Sequence, residues 1–124
     1  MLPMIQGIGI DIVDLLRFED LASNKKFIDR YFHKSESELN LQSLAGRFAA
    51  REALFKALNS KDLYNLEDIQ IINTKSGEPK FIFKNELAKY LKLRTTHLSI
   101  SHLPEYAISI VIIEKAQDED TDIP

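Results

Sequence analysis

One long stretch, residues 44–58, constrains the fold of this chain more than any other. It reads LAGRFAAREALFKAL. It predicts a helix because it holds strong helix formers, no proline and a glycine only near its start. At about 100° per residue, the stretch and the leucine one turn before it form two packing strips. The first is bulky and consists of Leu41, Leu44, Phe48, Phe55 and Leu58. The second contains only alanines and consists of Ala49, Ala50, Ala53 and Ala57.

A narrow charged seam separates these two strips. It carries Glu52 and Lys56, one helical turn apart. A surface helix normally has one apolar stripe and a wide polar back, so a seam between two packing faces predicts partly desolvated charges, which suit chemistry. The alternative is an ordinary ion pair on a solvated face, which contributes only about 0.2–0.5 kcal/mol. The spacing alone leaves both interpretations open.

Length and composition exclude several classes of protein. The 124 residues predict one domain, and 44% hydrophobic with 28% charged residues is typical of a soluble globular protein. The chain has no cysteine, which excludes a disulfide framework, a thiolate metal site and a cysteine nucleophile. No apolar run approaches the roughly 18 residues of a membrane span, and the N-terminus lacks the basic region of a signal peptide. We therefore expect a cytoplasmic protein that does not enter a membrane.

Charge is distributed unevenly along the chain. The net charge is −3, but residues 116–124 contain four acidic residues and no basic one, so residues 1–115 carry about +1. We predict one domain over 1–115 and a disordered acidic tail over 116–124. Residues 17–34 form a mild basic patch that is too weak for a nucleic-acid interface. This patch suits an acidic protein partner or a phosphate ligand, or it is simply a solvated helix surface.

The first strand, predicted over residues 4–12, has an unusual face. Alternation puts Gly7, Gly9 and Asp11 on one side of it. Glycine in a strand costs stability unless something approaches its backbone closely. The pattern predicts a ligand or another chain over the glycines with Asp11 at its edge. The alternative is a bulge, with Asp11 merely ending the strand.

The remaining elements alternate in type along the chain. Helices are predicted over 15–22 and 25–32 before the long helix, then strands over 66–74 and 80–83, a helix over 86–93, and strands over 96–102 and 106–114. This order predicts an α+β single domain with a largely antiparallel sheet packed on the central long helix. The last strand is apolar on both faces, so we expect it to be buried on both sides. In the preceding strand His102 shares a face with Leu98 and Ile100, and Ser101 lies opposite.

Elimination narrows the possible chemistry. The sequence lacks a phosphate-binding loop, and its three histidines have no metal-ligand spacing. A serine–histidine–acid triad has no nucleophile elbow to support it. Separated acids and bases remain, namely Asp11, Arg47, Glu52, Lys56 and His102. Two carboxylates suit Mg²⁺, which usually completes its shell with water and substrate phosphate, and basic groups nearby suit a polyanion.

Four motifs in this order and spacing carry a family resemblance: GIGIDIVDLLRFE, LAGRFAAREALFKAL, SGEPKF and HLSISHLPEYAISIVII. Together they resemble the small holo-[acyl-carrier-protein] synthase branch of the 4'-phosphopantetheinyl transferase superfamily, over the whole chain except the acidic tail. The resemblance implies a 4'-phosphopantetheinyl transferase-like fold. It also implies Mg²⁺-dependent transfer of 4'-phosphopantetheine from coenzyme A to a serine of apo acyl carrier protein.

The resemblance assigns roles residue by residue. It implies that Asp11 and Glu52 ligate Mg²⁺ and that Lys56 contacts the phosphates and steadies the leaving group. These three form the catalytic set. It implies that Arg47 and His102 bind the nucleotide end of coenzyme A.

Further positions follow from the same resemblance. Pro79 and Ser101 match flanking coenzyme A contacts, and Arg17 matches an arginine that meets acidic residues of the carrier protein. The family forms homotrimers with each active site between neighbouring subunits. For the general base, Glu52 is the first choice and Glu36 the reserve.

Two departures and one alternative qualify these expectations. Arg51 stands where the family usually has lysine, and its position predicts a packed stem with the charged head reaching outward. After Leu58 the chain lacks the family's glycine-rich turn, which puts backbone contacts to phosphate at that turn in doubt. The alternative function is a non-catalytic module that binds coenzyme A or a carrier protein.

Overall fold

The computed structural model describes residues 2–59 and 65–116. Residues 60–64, which follow the predicted long helix, and residues 117–124 of the predicted acidic tail lie outside these ranges. The elements in chain order are β1 Pro3–Asp14, α1 Leu15–Ala22, α2 Lys25–Tyr31, a 3-10 turn Lys34–Glu36, α3 Leu41–Leu58, a 3-10 turn Leu66–Asp68, β2 Ile69–Asn73, β3 Pro79–Phe83, α4 Asn85–Leu91, β4 Arg94–His102 and β5 Tyr106–Ala116.

Two antiparallel sheets share the central helix α3. One has the strand order β1-β5-β4, and the other is the β2-β3 hairpin. The core lies along α3 in two clusters, one at its C-terminal half that contains Leu54, Ile69 and Val111, and the other at its N-terminal half around Phe18. The predicted α+β domain, with an antiparallel sheet packed on a central long helix, is therefore confirmed. None of the helices within the described ranges is long and apolar enough to span a membrane.

Helix α3 begins three residues before the predicted start. The Asn40 side chain caps it by accepting a hydrogen bond from the Ser43 backbone at 2.8 Å, and Asn59 ends it in the left-handed conformation at φ 55°. The four residues of the alanine strip are buried. The prediction of a helix with more than one packing face is confirmed.

The glycine face of β1 lies against α3. A Cβ built on Gly7 would lie 1.9 Å from the carbonyl oxygen of Ala57, and one on Gly9 would lie 1.7 Å from that of Ala53. The prediction of a ligand or another chain over the glycines is therefore wrong, because the chain's own helix occupies that space. A register shift between Ile5 and Gly7 shows that the strand also contains an irregularity, as the alternative interpretation expected. The close approach brings the same side of β1, and with it Asp11, against α3.

Gly9→Ala tests this close approach. We expect it to lower the free energy of unfolding by about 3 kcal/mol, because the new methyl group meets rigid helix backbone. In Gly46→Ala, by contrast, the new Cβ meets one side-chain atom, Cγ2 of Ile100 at 2.7 Å, and a side chain shifts more easily than helix backbone. Chemical denaturation of both variants measures the difference, with a clearly smaller loss expected for Gly46→Ala. Equal stabilities for the two variants would contradict the packing described here.

The opposite face of the β1–β5 pair is apolar and exposed. It carries three cross-strand isoleucine pairs, which we call the isoleucine face: Ile8–Ile112, Ile10–Ile110 and Ile12–Ile108. The β1 members are 52–62% exposed, and Ile108 and Ile110 are 36% and 38% exposed. The prediction that β5 is buried on both sides is wrong within this chain, because α3 covers only one side of the sheet.

Candidate active site

The first candidate pocket lies where β1, α1, α3 and β5 meet. Asp11 from β1 and Glu52 from α3 line this cavity of about 380 Å³, together with Arg17 from α1. Its apolar wall includes Phe18 and Phe48. We call it the carboxylate pocket. The glycines of β1 explain why the two carboxylates meet there, since a strand held further from α3 would separate them.

Lys56 connects the same strand and helix. Its Nζ donates a hydrogen bond to the backbone oxygen of Ile10 at 2.9 Å and lies 3.1 Å from Oδ1 of Asp11. The lysine side chain is 56% exposed and the Asp11 side chain 19% exposed. Lys56 therefore reaches from α3 to β1, a partner 45 positions away in the chain that helical spacing alone does not predict.

The donor set of the carboxylate pocket fits a hard divalent cation. The described residues contain no group of three or more histidine, cysteine, aspartate or glutamate side chains that could hold a metal ion. Asp14 also lines this cavity, but its carboxylate caps α1 by accepting from the backbone of Leu16 and Arg17, which leaves Asp11 and Glu52. Two carboxylates are what Mg²⁺ uses when water and substrate phosphates complete its shell. Asp11 and Glu52 supply such oxygens, and Lys56 adds a positive charge for a polyanion beside them.

A second pocket of about 200 Å³ lies between the start of α3, the β2–β3 hairpin and the end of β4, and we call it the arginine pocket. Its lining residues are Gln42, Ser43, Arg47, Asn73, Gly77, Pro79, Ile100 and His102. It brings together three residues that the sequence comparison assigned to nucleotide binding, from α3, β3 and β4. Its lining shares no residue with that of the carboxylate pocket.

Arg47 forms the charged wall of the arginine pocket. Its Nη2 donates to Oδ1 of Asn73 at 3.2 Å, and its Nη1 donates to the backbone oxygen of Ile71. Burial lowers the pKa of the Arg47 guanidinium below its ordinary value, while Glu36 raises that pKa and Arg51 lowers it further. The protein therefore holds a poorly hydrated cation at the pocket wall, an arrangement that a bound anion would stabilise.

Ser101 lies apart from both pockets. It pairs with Ile108 across β4 and β5, so its side chain is on the side of the sheet that carries the isoleucine face, opposite His102. Within one chain the predicted site residues thus fall into three places. Asp11, Glu52 and Arg17 line one pocket, and Lys56 is bound to Asp11 beside it. Arg47, Pro79 and His102 line another, and Ser101 borders the exposed sheet face.

The structure corrects two expectations about Arg51 and Glu36. Arg51 is 1% exposed, and its Nη2 donates to both carboxylate oxygens of Glu36 at 2.8 and 2.6 Å, so the prediction of an outward-reaching head is wrong. Glu36 is fully buried in the same pair. A carboxylate that is enclosed and already bound cannot take a proton from an external substrate, which excludes Glu36 as the reserve base.

Sequence reasoning missed several residues that build the pockets. Asn73 and Ser43 line the arginine pocket, and Asn73 also orients Arg47. Asn73 is a polar residue at the end of a strand, which is a weak signal, and only the fold places it beside α3. Phe48 was interpreted as an apolar packing residue, and together with Phe18 it also forms a wall of the carboxylate pocket.

The sequence of this chain is similar to a known protein family. The sequence model of the 4'-phosphopantetheinyl transferase superfamily matches residues 7–111. A holo-[acyl-carrier-protein] synthase from Borreliella afzelii is 40% identical over 126 residues, which cover 89% of this chain and 99% of that protein.

Solved structures are similar over the same range. One is a holo-(acyl-carrier-protein) synthase from Bacillus anthracis in complex with CoA (3',5'-ADP), with a TM-score of 0.77, 34% identity, and coverage of 91% of this chain and 99% of that one. Another is a holo-[acyl-carrier-protein] synthase from Neisseria meningitidis, with a TM-score of 0.82, 30% identity, and coverage of 90% and 100%.

Proposed function

The chain belongs to the holo-[acyl-carrier-protein] synthases of the 4'-phosphopantetheinyl transferase superfamily, and on that premise we propose that it transfers 4'-phosphopantetheine from coenzyme A to a serine of apo acyl carrier protein. The serine oxygen forms a bond to the β-phosphorus, the bond from that phosphorus to the bridging oxygen breaks, and adenosine 3',5'-bisphosphate leaves. The observation that carries this proposal is the carboxylate pocket. Asp11 and Glu52 line it, and Lys56 binds the strand that carries Asp11.

The chemical roles follow from the donors in this pocket. Asp11 and Glu52 would hold Mg²⁺, which when bound stabilises the charge that develops on a diphosphate leaving group. Lys56 is already fixed against β1 and lies beside Asp11, so its ammonium contacts the phosphates and steadies the leaving group. A carboxylate oxygen of Glu52 accepts the serine proton. Most of the catalytic effect in such a site comes from positioning and charge neutralisation.

The nucleotide end of coenzyme A occupies the arginine pocket in this proposal. Arg47 and His102 contact its phosphates, Pro79 packs against it, and Ser101 makes a flanking contact. What supports this assignment is the cluster of a buried guanidinium, an imidazole and neutral hydrogen-bonding groups around one small cavity.

We further propose a homotrimer with each active site between neighbouring subunits. The two pockets share no lining residue within one chain, and the isoleucine face is too apolar to be left in water without a partner. Association through that face would cover the isoleucines and bring the carboxylate pocket of one copy to the arginine pocket of the next. Ser101, beside the isoleucine face, would then lie at the contact between subunits.

The carrier protein docks on α1 in this proposal. Arg17 lines the mouth of the carboxylate pocket, where a carrier serine must arrive. Arg17→Ala is expected to raise the KM for the carrier protein about tenfold and to change the KM for coenzyme A less than about twofold, because a charge at an interface rim acts mainly on that partner. Steady-state kinetics with each substrate varied measures both values. Lys92→Ala, which removes an exposed cation at the end of α4 and outside the basic patch of residues 17–34, is the control. Equal effects of Arg17→Ala on the two substrates would refute the docking role.

One experiment tests the function itself. The protein is mixed with apo acyl carrier protein, coenzyme A and Mg²⁺, and the carrier is weighed by mass spectrometry. We expect the mass of one phosphopantetheine to be added to the carrier, and no addition when the metal is chelated. An unchanged carrier mass together with measurable coenzyme A binding would instead support the non-catalytic binding module.

A further inference from the structure

The buried pair of Glu36 and Arg51 has no role in the proposed reaction. Arg51 Nη2 donates to both oxygens of Glu36, and the guanidinium also lies over the ring of Phe32 at 5.3 Å. Both side chains are almost completely shielded from water. A buried ion pair is weak evidence for stability, because well-packed apolar residues of similar size are often as stable. The role of the Glu36–Arg51 pair must therefore be inferred from the other contacts that Arg51 makes.

Arg51 and Arg47 hold α3 against the free edge of β2. They lie one helical turn apart, and each donates to a β2 carbonyl. Arg51 Nη2 reaches Ile69 at 3.2 Å, and Arg47 Nη1 reaches Ile71, two residues further along the strand. Arg51 Nη1 also donates to the backbone oxygen of Arg47 at 3.4 Å. The position of the Arg47 head thus depends on the register between α3 and β2 that Arg51 helps to set.

The charges of this cluster do not cancel. The carboxylate of Glu36 is bound by Arg51, whereas Arg47 Nη1 lies 3.9 Å from the same carboxylate, beyond hydrogen-bond distance. Two guanidiniums share one carboxylate, so the excess positive charge belongs to Arg47. Its two hydrogen bonds use two of the five donors of a guanidinium, and its head lines the arginine pocket.

We propose that Glu36 and Arg51 are positioning residues for substrate binding. Arg51 helps to fix the Arg47 head against β2 and binds the carboxylate of Glu36, so that Arg47 remains the anion-binding group for a phosphate at the nucleotide end of coenzyme A. This inference rests on the proposed function of the arginine pocket. It assigns the pair to binding of the nucleotide and not to the transfer step in the carboxylate pocket.

The test removes the pair without changing the net charge. The double variant Glu36→Leu/Arg51→Met replaces a buried ion pair by apolar residues of similar size, a change that proteins often tolerate. We expect affinity for adenosine 3',5'-bisphosphate, measured by calorimetry, to fall about tenfold. The KM for coenzyme A should rise by a similar factor, while kcat and the KM for the carrier change less than about twofold.

Two further variants keep the proposal falsifiable. Arg51→Gln removes the guanidinium and leaves the carboxylate of Glu36 to Arg47, so we expect a similar loss of nucleotide affinity even if the double variant does not fold. Glu86→Gln/Lys89→Gln removes an exposed ion pair on α4, and it should leave nucleotide affinity unchanged.

Two results would overturn the proposal. One is unchanged nucleotide affinity in a folded double variant or in Arg51→Gln. The other is a fall in kcat with an unchanged KM for coenzyme A, which would give the pair a part in the chemistry. If the wild-type protein binds the nucleotide but transfers nothing, the proposed function fails, and the calorimetric comparison still decides the positioning role.

Discussion

Glu52→Gln is expected to reduce transfer by at least about 1,000-fold while leaving the fold unchanged. Glutamine has nearly the same shape but no negative charge, so it ligates a divalent cation poorly and cannot accept the serine proton. Because Glu52 is half-buried and lines a cavity, an isosteric replacement should leave packing unchanged. The loss should appear in kcat, while the affinity for adenosine 3',5'-bisphosphate stays within about twofold, because the nucleotide end binds elsewhere.

The measurement combines the carrier-mass assay with calorimetry and thermal unfolding. Glu86→Gln on α4 is the matched control, since it makes the same chemical change at an exposed glutamate. It should leave transfer unchanged. Normal turnover in Glu52→Gln would remove Glu52 from both metal binding and proton transfer and would leave the carboxylate pocket without its proposed chemistry.

Local sequence patterns predicted the helices and strands, but they did not predict what packs against each face of them. The period of α3 and the buried alanines follow from helical spacing, which depends only on neighbours in the chain. The glycines of β1 indicated that something approaches closely, but a strand pattern does not say whether a ligand, another chain or the chain's own helix does so. The same limit applies to β5, where two apolar faces predicted burial on both sides although one chain covers only one of them.

In the candidate site too, the sequence predicted local neighbours but not contacts between distant parts of the chain. Glu52 and Lys56 are neighbours by helical spacing, but Lys56 binds Asp11, 45 positions away in the chain, which depends on how β1 packs. The family resemblance nominated residues of both pockets and an active site between subunits, but it did not indicate which residue belongs to which pocket. The position of Arg51 on the wheel predicted an outward-reaching head, whereas the turn containing Glu36, 15 residues earlier, covers it.

Mixing two defective variants is expected to restore activity if each active site lies between subunits. Glu52→Gln damages the carboxylate pocket and Arg47→Met the arginine pocket, so each variant alone should be strongly impaired at low coenzyme A concentration. In a randomly mixed trimer, half of the carboxylate pockets and half of the arginine pockets are intact. About one site in four then combines two intact halves and should work normally. A site contained within one chain would have a defect in every copy, and mixing would restore nothing.

The control for this experiment mixes two variants with defects in the same pocket. In a mixture of Glu52→Gln and Asp11→Asn every carboxylate pocket is defective, so no activity should return after the subunits are denatured and refolded together. Placing Ile10→Lys in both members of the complementing pair should abolish the rescue, because a charge in the middle of the isoleucine face opposes association of the copies. Rescue that persists with Ile10→Lys would show that the subunit contact lies on another surface. Rescue in the same-pocket control would show that the returning activity does not come from the combination of two intact halves.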